Sequence, residues 1–183
     1  GRNLVNLFDR KNISILTPSS KELNLLCQKS VDSYLKKYTP NSVVHCAGLV
    51  GGIQANMKSP YSFLANNLLM GANLVMAASK LQIQQFINLG SSCMYPRNID
   101  RELNEDDILS GELEPTNEGY ALAKIGIAKM CEYISVEKKL NYKTIIPCNL
   151  YGKWDKFDPV QSHMIPSVIR KLHIAKHKKE NVS

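Results

Sequence analysis

Apolar residues recur along the chain in two alternating rhythms. In "RNLVNLF" (2–8) they fall three and four apart, which predicts a helix over 2–9, and "ISIL" (13–16) follows as a short buried strand. A helix over 31–38 closes at Pro40, and "SVVHCAG" (42–48) reads as a strand running into a glycine. An amphipathic stretch over 61–81, a strand at 86–90, a polar loop over 97–117, a helix over 118–138 and a strand at 143–149 come next. A further loop and a helix over 163–176 complete the pattern. Strands alternating with helices of ten or more residues mean βαβ units: an α/β, doubly wound, Rossmann-like parallel sheet covered on both faces.

In such sheets ligands sit outside the carboxyl ends of the strands. Three of these strand ends carry unusual residues: "HCAGLVGG" at 45–52, "GSSCMYP" at 90–96 and "PCNLYG" at 147–152. Gly48, Gly51 and Gly52 would let a cofactor approach the backbone closely. Tyr120 and Lys124 lie four apart in a predicted helix and so share a face. A lone pair of this kind is usually a surface contact. A serine at a strand end followed by Y-x-x-x-K in the next helix offers chemistry instead. A phenol near its ordinary pKa of about 10 is a poor acid–base group at neutral pH, and a neighbouring ammonium favours its ionised form. A serine hydroxyl can meanwhile orient a carbonyl for hydride attack.

Composition narrows the function classes. The 183 residues, 44% hydrophobic and 21% charged, suit one globular domain. The net charge of +7 invites a nucleic-acid reading, but "RKLHIAKHKKENVS" (170–183) holds +4 of it and lacks the interleaved aromatics that stack on bases. That segment reads as a solvated helix end, and no nucleic acid is expected as a partner. No apolar run is long enough to span a bilayer, so no membrane partner is expected either. Five cysteines, at 27, 46, 93, 131 and 148, show no C-x-x-C spacing; they read as reduced thiols of a cytoplasmic protein, with no metal site.

Six stretches carry a more specific resemblance: "KELNLL" (21–26), "VGGIQAN" (50–56), "FINLGSSCMYP" (86–96), "LEPTNEGYALAKI" (113–125), "PCNLYGKWDKFDP" (147–159) and "SHMIP" (162–166). In this order they resemble the GDP-L-fucose synthases, the GDP-4-keto-6-deoxy-mannose 3,5-epimerase/4-reductases of the extended short-chain dehydrogenase/reductase family. The resemblance implies that Ser91, Tyr120 and Lys124 form the reductase triad, with Cys93 and His163 as the acid–base pair for epimerisation. It places Leu89, Gly90, Ser91 and Ser92, with Pro147, Cys148, Asn149 and Leu150, beside the nicotinamide, together with Lys124 and His163. Ser20, Lys21, Glu22, Leu23, Asn24 and Leu25 would lie near the adenosine, and Lys171 and Asn149 on the substrate. Lys171 stands where the family often has an arginine for the diphosphate.

Gly1 reads as the last glycine of a G-x-x-G-x-x-G turn whose strand lies upstream. Residues 1–150 are then expected to form the NADP-binding domain and 151–183 the beginning of a substrate domain. No acidic residue stands in "TPSSK" (17–21) to accept a ribose 2′-hydroxyl, so NADP is expected over NAD. The implied activity is NADP-dependent conversion of a GDP-4-keto-6-deoxy-mannose-type sugar to GDP-L-fucose or a close relative. A C4 reductase acting on another GDP-4-keto sugar, such as a heptose, is the alternative, and a non-catalytic nucleotide-sensing module is one from another class. A homodimer is implied, packed through the helices over 61–81 and 118–138.

Overall fold

A computed structural model describes residues 1–11, 13–158, 162 and 164–178. The elements run α1 (Arg2–Asp9), α2 (Gln28–Tyr38), β1 (Ser42–His45), α3 (Ile53–Lys58), α4 (Pro60–Lys80), β2 (Gln85–Leu89), α5 (Glu118–Lys138), β3 (Asn141–Ile145) and α6 (Met164–Lys178). The three strands form one parallel sheet in the order β1–β2–β3. All three were expected; each ends two to four residues earlier than read or shifts by one or two. The expected strand at 13–16 is a correction. Ile13 and Leu16 are 49% and 45% exposed and no described strand runs beside them. A strand exists only as one side of a ladder, because its amide groups need partners.

Local chemistry sets the element ends. Pro60 begins α4, where its missing N–H costs nothing and its fixed φ suits the first helical turn. The α2 helix closes at Thr39 in the left-handed region (φ 38°), whose N–H donates to the Leu35 carbonyl at 2.8 Å, just before Pro40. Lys139 closes α5 in the same conformation. The Ser135 hydroxyl then both donates to and accepts from the Tyr142 backbone, tying the end of α5 to β3.

The core lies on one face of the sheet. Val43, Phe86 and Tyr142 are register partners across the strands, and His45, Asn88 and Thr144 form the next row on the same pleat. Over them pack Val31 and Leu35 of α2, Leu74 and Val75 of α4, and Ile127 and Cys131 of α5. The expected cover on both faces is only half realised among the described residues. Ile87 and Ile145, on the opposite pleat, are 36% and 51% exposed. A second small cluster, Met94, Leu113, Ala121 and Ile125, holds the segment after β2 against the start of α5.

The two long helices approach closely because small residues face large ones. A Cβ on Gly71 of α4 would collide with Ile127 Cδ1 of α5, and one on Gly119 would lie 2.7 Å from the Pro60 carbonyl oxygen. Ile127 is itself 1% exposed and has little room to yield. Gly71→Ala should therefore destabilise the chain by about 1–3 kcal/mol in urea unfolding, as overpacked cores do. Adding Ile127→Val should return part of that loss, and a strictly additive double variant would disprove the contact.

Candidate active site

The site is built where β2 ends. Leu89 is its last residue, Ser91 caps a single 3-10 turn over Ser92–Met94, and that turn presents Cys93. The turn is anchored from inside: the Ser91 N–H meets Met94 Sδ at 3.4 Å, and Met94 is fully buried. From above, α5 brings in Tyr120 and Lys124 on one face. The Lys124 ammonium, 5% exposed, donates to the Leu89 carbonyl at 2.7 Å and lies 5.6 Å from the centre of the Tyr120 ring. Ser91 and Lys124 both lie close enough to the Cys93 thiol to favour its ionised form, and Cys93 in turn acts on Tyr120 and Lys124. Ser91, Cys93, Tyr120 and Lys124 are thus brought together.

Burial dominates the electrostatics. It pushes the Tyr120 phenol up to about 12, with the nearby Cys93 adding to the rise. It raises the Cys93 thiol, against the downward pull of Ser91 and Lys124. It lowers the Lys124 ammonium, against Cys93 and Cys46. The ammonium that was expected to depress the phenol is instead spent on the Leu89 carbonyl. In this arrangement Tyr120 therefore keeps its proton at neutral pH.

The other strand ends add to the same edge. Residues 48–52 follow β1, and Asn67 of α4 clamps them: its Oδ1 accepts from the Leu49 N–H at 2.8 Å and its Nδ2 donates to the Leu49 carbonyl at 3.0 Å. Asn56 Nδ2 donates to the Gly51 and Gly52 carbonyls at 2.9 and 3.1 Å. Gly1 caps α1 close to Cys46; a Cβ there would be 3.9 Å from Cys46 Cβ. Arg2 stacks over Trp154 at 5.7 Å. Pro147–Leu150 extend beyond β3, with Cys148 acting on Tyr95 from the segment after β2. A cavity of about 250 Å³ opens just before Tyr120, lined by Asn56, Met57, Pro60 and residues 115–119.

The segment over 20–25 is a chain of turns held from two helices. Asn73 of α4 donates to the Leu25 carbonyl at 2.8 Å, and Ser30 of α2 accepts from the Asn24 N–H at 3.2 Å. Glu22 is occupied locally: it accepts from both the N–H and the hydroxyl of Ser19, each at 2.8 Å, which lowers its pKa. Lys171 sits on α6, exposed, with no hydrogen bond or ion pair to the Ser91–Lys124 cluster among the described residues. His163 lies outside the described residues.

Two participants escaped sequence reading. His45, 2% exposed, and Cys46 both lie within electrostatic reach of Lys124. Their signal was a polar residue ending an otherwise apolar strand. Asn67 gave a comparable one, a buried amide in a largely apolar helix. All five cysteines are free thiols. No helix of the described residues is long and apolar enough to cross a membrane, and no group of three or more His, Cys, Asp or Glu among them could hold a metal ion.

The profile of the NAD dependent epimerase/dehydratase family matches residues 1–182. The chain is 56% identical over 173 residues to the GDP-L-colitose synthase of Yersinia pseudotuberculosis, covering 94% of this chain and 56% of that protein. It is 49% identical over 175 residues to the GDP-L-fucose synthase of Azorhizobium caulinodans, covering 96% and 56%. Among solved structures, a GDP-mannoheptose C4 reductase from Campylobacter jejuni with NADP bound superposes with a TM-score of 0.89 at 28% identity, covering 99% of this chain and 57% of that one. The chain spans a little over half the length of these relatives.

Burial of His45, with the Lys124 charge added, lowers its pKa to about 4. Its folded value is depressed, so its contribution to stability is complete above the unfolded value near 6.5 and is lost as pH falls toward 4. Unfolding free energies at pH 7 and 4.5 should differ by up to roughly 3 kcal/mol more in the native chain than in His45→Gln, which cannot titrate. Equal pH dependence in the two proteins would show that His45 is not held neutral.

Proposed function

This chain belongs to the NAD dependent epimerase/dehydratase family, and from that premise we propose that it carries the cofactor-binding and catalytic part of an NADP-dependent enzyme that epimerises and reduces a GDP-4-keto-6-deoxy sugar to GDP-L-fucose or a close relative. The observation that carries this reading is the gathering of Ser91, Cys93, Tyr120 and Lys124 around the carboxyl end of β2.

The residues present fit a dinucleotide. The α1 N-terminus and Arg2 offer N–H groups and positive charge to a diphosphate beside the loop after β1. The one carboxylate of the 20–25 segment, Glu22, is occupied by Ser19, while Lys21 is exposed to meet a 2′-phosphate. That favours NADP, as does the NADP in the heptose reductase structure. When bound, the reduced nicotinamide supplies a hydride to C4 of the sugar.

The chain's own groups handle the proton traffic. Ser91 donates its hydroxyl to the C4 carbonyl and orients it. Tyr120, kept protonated by burial, delivers its proton to the oxygen that becomes the alcohol. Lys124 holds a positive charge beside the phenol as it ionises, lowering the cost of the phenolate. For epimerisation, the C4 ketone acidifies the C3 and C5 hydrogens. Cys93 at one face and His163 at the other remove and return protons through an enolate. Cys93 rests as a thiol, so Lys124 and Ser91 must offset its burial when it ionises. Lys171 and Asn149 would contact the nucleotide sugar, and the cavity before Tyr120 would take part of it.

A C4 reductase without epimerase activity is the second reading, favoured by the likeness to the GDP-mannoheptose C4 reductase. A homodimer belongs to the first reading. Tyr61, Leu69 and Met76 on α4 and Leu122, Tyr133 and Val136 on α5 are all exposed, and such apolar stripes suit a second copy of the chain. The cytoplasm is the compartment in which this activity would operate.

In the intact protein, Tyr120→Phe should lower kcat for NADPH-dependent reduction by about 10²–10⁴-fold, the usual worth of a positioned acid. With substrate in deuterated water, the native product should carry deuterium at C3 and C5, and the Cys93→Ser product much less. Mass spectrometry separates the readings: reduction without deuterium leaves the C4 reductase, and a fully active Tyr120→Phe enzyme removes both.

A further inference from the structure

Two buried acceptors without partners lie one row before Leu89, the residue whose carbonyl Lys124 reaches. His45 and Asn88 are register neighbours on β1 and β2, on the pleat that α5 covers, and are 2% and 0% exposed. His45 Nδ1 and Asn88 Oδ1 have no hydrogen-bond partner among the described residues. A buried polar atom left without a partner destabilises the fold, so such atoms ordinarily find protein or water. Asn88 Nδ2 donates to Thr144 Oγ1 at 3.2 Å in the same row, leaving Oδ1 as the end without a partner. One residue further along β2, the Leu89 carbonyl takes one proton of the Lys124 ammonium at 2.7 Å. An ammonium has three.

We propose that a buried water joins these groups, accepting an N–H from Lys124 and donating its two protons to His45 Nδ1 and Asn88 Oδ1. Both orphan acceptors then receive a proton and a second N–H of Lys124 finds an acceptor, and a water with three protein partners is well held. Neighbouring parallel strands lie about 4.8 Å apart, so side chains of one register pair on one pleat can share a single water. Acting through this water, His45 is a positioning residue: it gives Lys124 a second anchor and keeps the ammonium charged despite burial. The bridge requires a neutral imidazole with its proton on Nε2. Lys124 from α5 is the charged group acting on His45; Phe86 of β2 faces it with an apolar ring, at 6.5 Å between centroids. Cys93 and Cys46 act on Lys124 in turn. The importance of this anchor for catalysis rests on the reductase reading, but the bridge itself does not.

The test needs neither cofactor nor substrate, so it stands even if the proposed activity fails. Long-range ¹H–¹⁵N NMR of histidine-labelled chain at pH 6–7 should show His45 neutral and protonated at Nε2; a proton on Nδ1 overturns the bridge. Following Lys124 Nζ through its titration, His45→Phe should weaken proton binding about tenfold, one pKa unit. His45→Gln, which retains an acceptor oxygen, should recover most of that loss. An unchanged or raised Lys124 pKa in folded His45→Phe overturns the positioning role. If that variant does not fold, the tautomer in the native chain decides alone.

Discussion

A lysine ammonium can be buried only where its protons find acceptors, and the carbonyl of Leu89 is the acceptor that makes Lys124 tolerable. That single bond joins the last residue of a strand to the second turn of the helix that follows it. The helix can lie so close because Gly71 and Gly119 leave room for Ile127 and the Pro60 carbonyl. The 3-10 turn at Ser92–Met94 fits beneath, pinned by Met94. Loosen the helix contact and the ammonium drifts from its acceptor. Packing and chemistry are therefore one constraint here.

The same burial sorts the protonation states. Tyr120 and Cys93 are pushed toward their neutral forms, and Lys124 and His45 toward theirs, since a low-dielectric site penalises every charge. A phenol near 12 holds its proton until a developing alkoxide takes it. A neutral His45 avoids setting a second cation against Lys124. Burial thus makes Tyr120 a proton donor first, which suits a reduction more than an oxidation.

Much of this was legible in the residues, and the limits are physical. The strand ends, the shared face of Tyr120 and Lys124 and the serine–cysteine turn follow from periodicity and from where parallel sheets expose their loops. The segment over 13–16 misled because an apolar run announces burial, whereas a strand also needs a neighbour to bond with. The phenol's direction of shift was misread because spacing brings an ammonium near a ring without saying which oxygen it chooses. His45 was passed over as the end of a strand, although a histidine closing "SVV" was the one polar residue of β1 on the buried pleat. The α3 turn and the two clamps on α4 depend on tertiary contacts that no local pattern carries.

Those clamps have a consequence of their own. Asn67 grips Leu49 and Asn73 grips Leu25, six residues apart on one helix, a rise of about 9 Å. The helix works as a gauge block between two loops. Substituting a side chain along it leaves the spacing of the clamps unchanged, whereas inserting or deleting one residue between them would swing one of them by about 100°. Drift in this part of the chain is thereby confined to substitution, and variation in length is left to the loops.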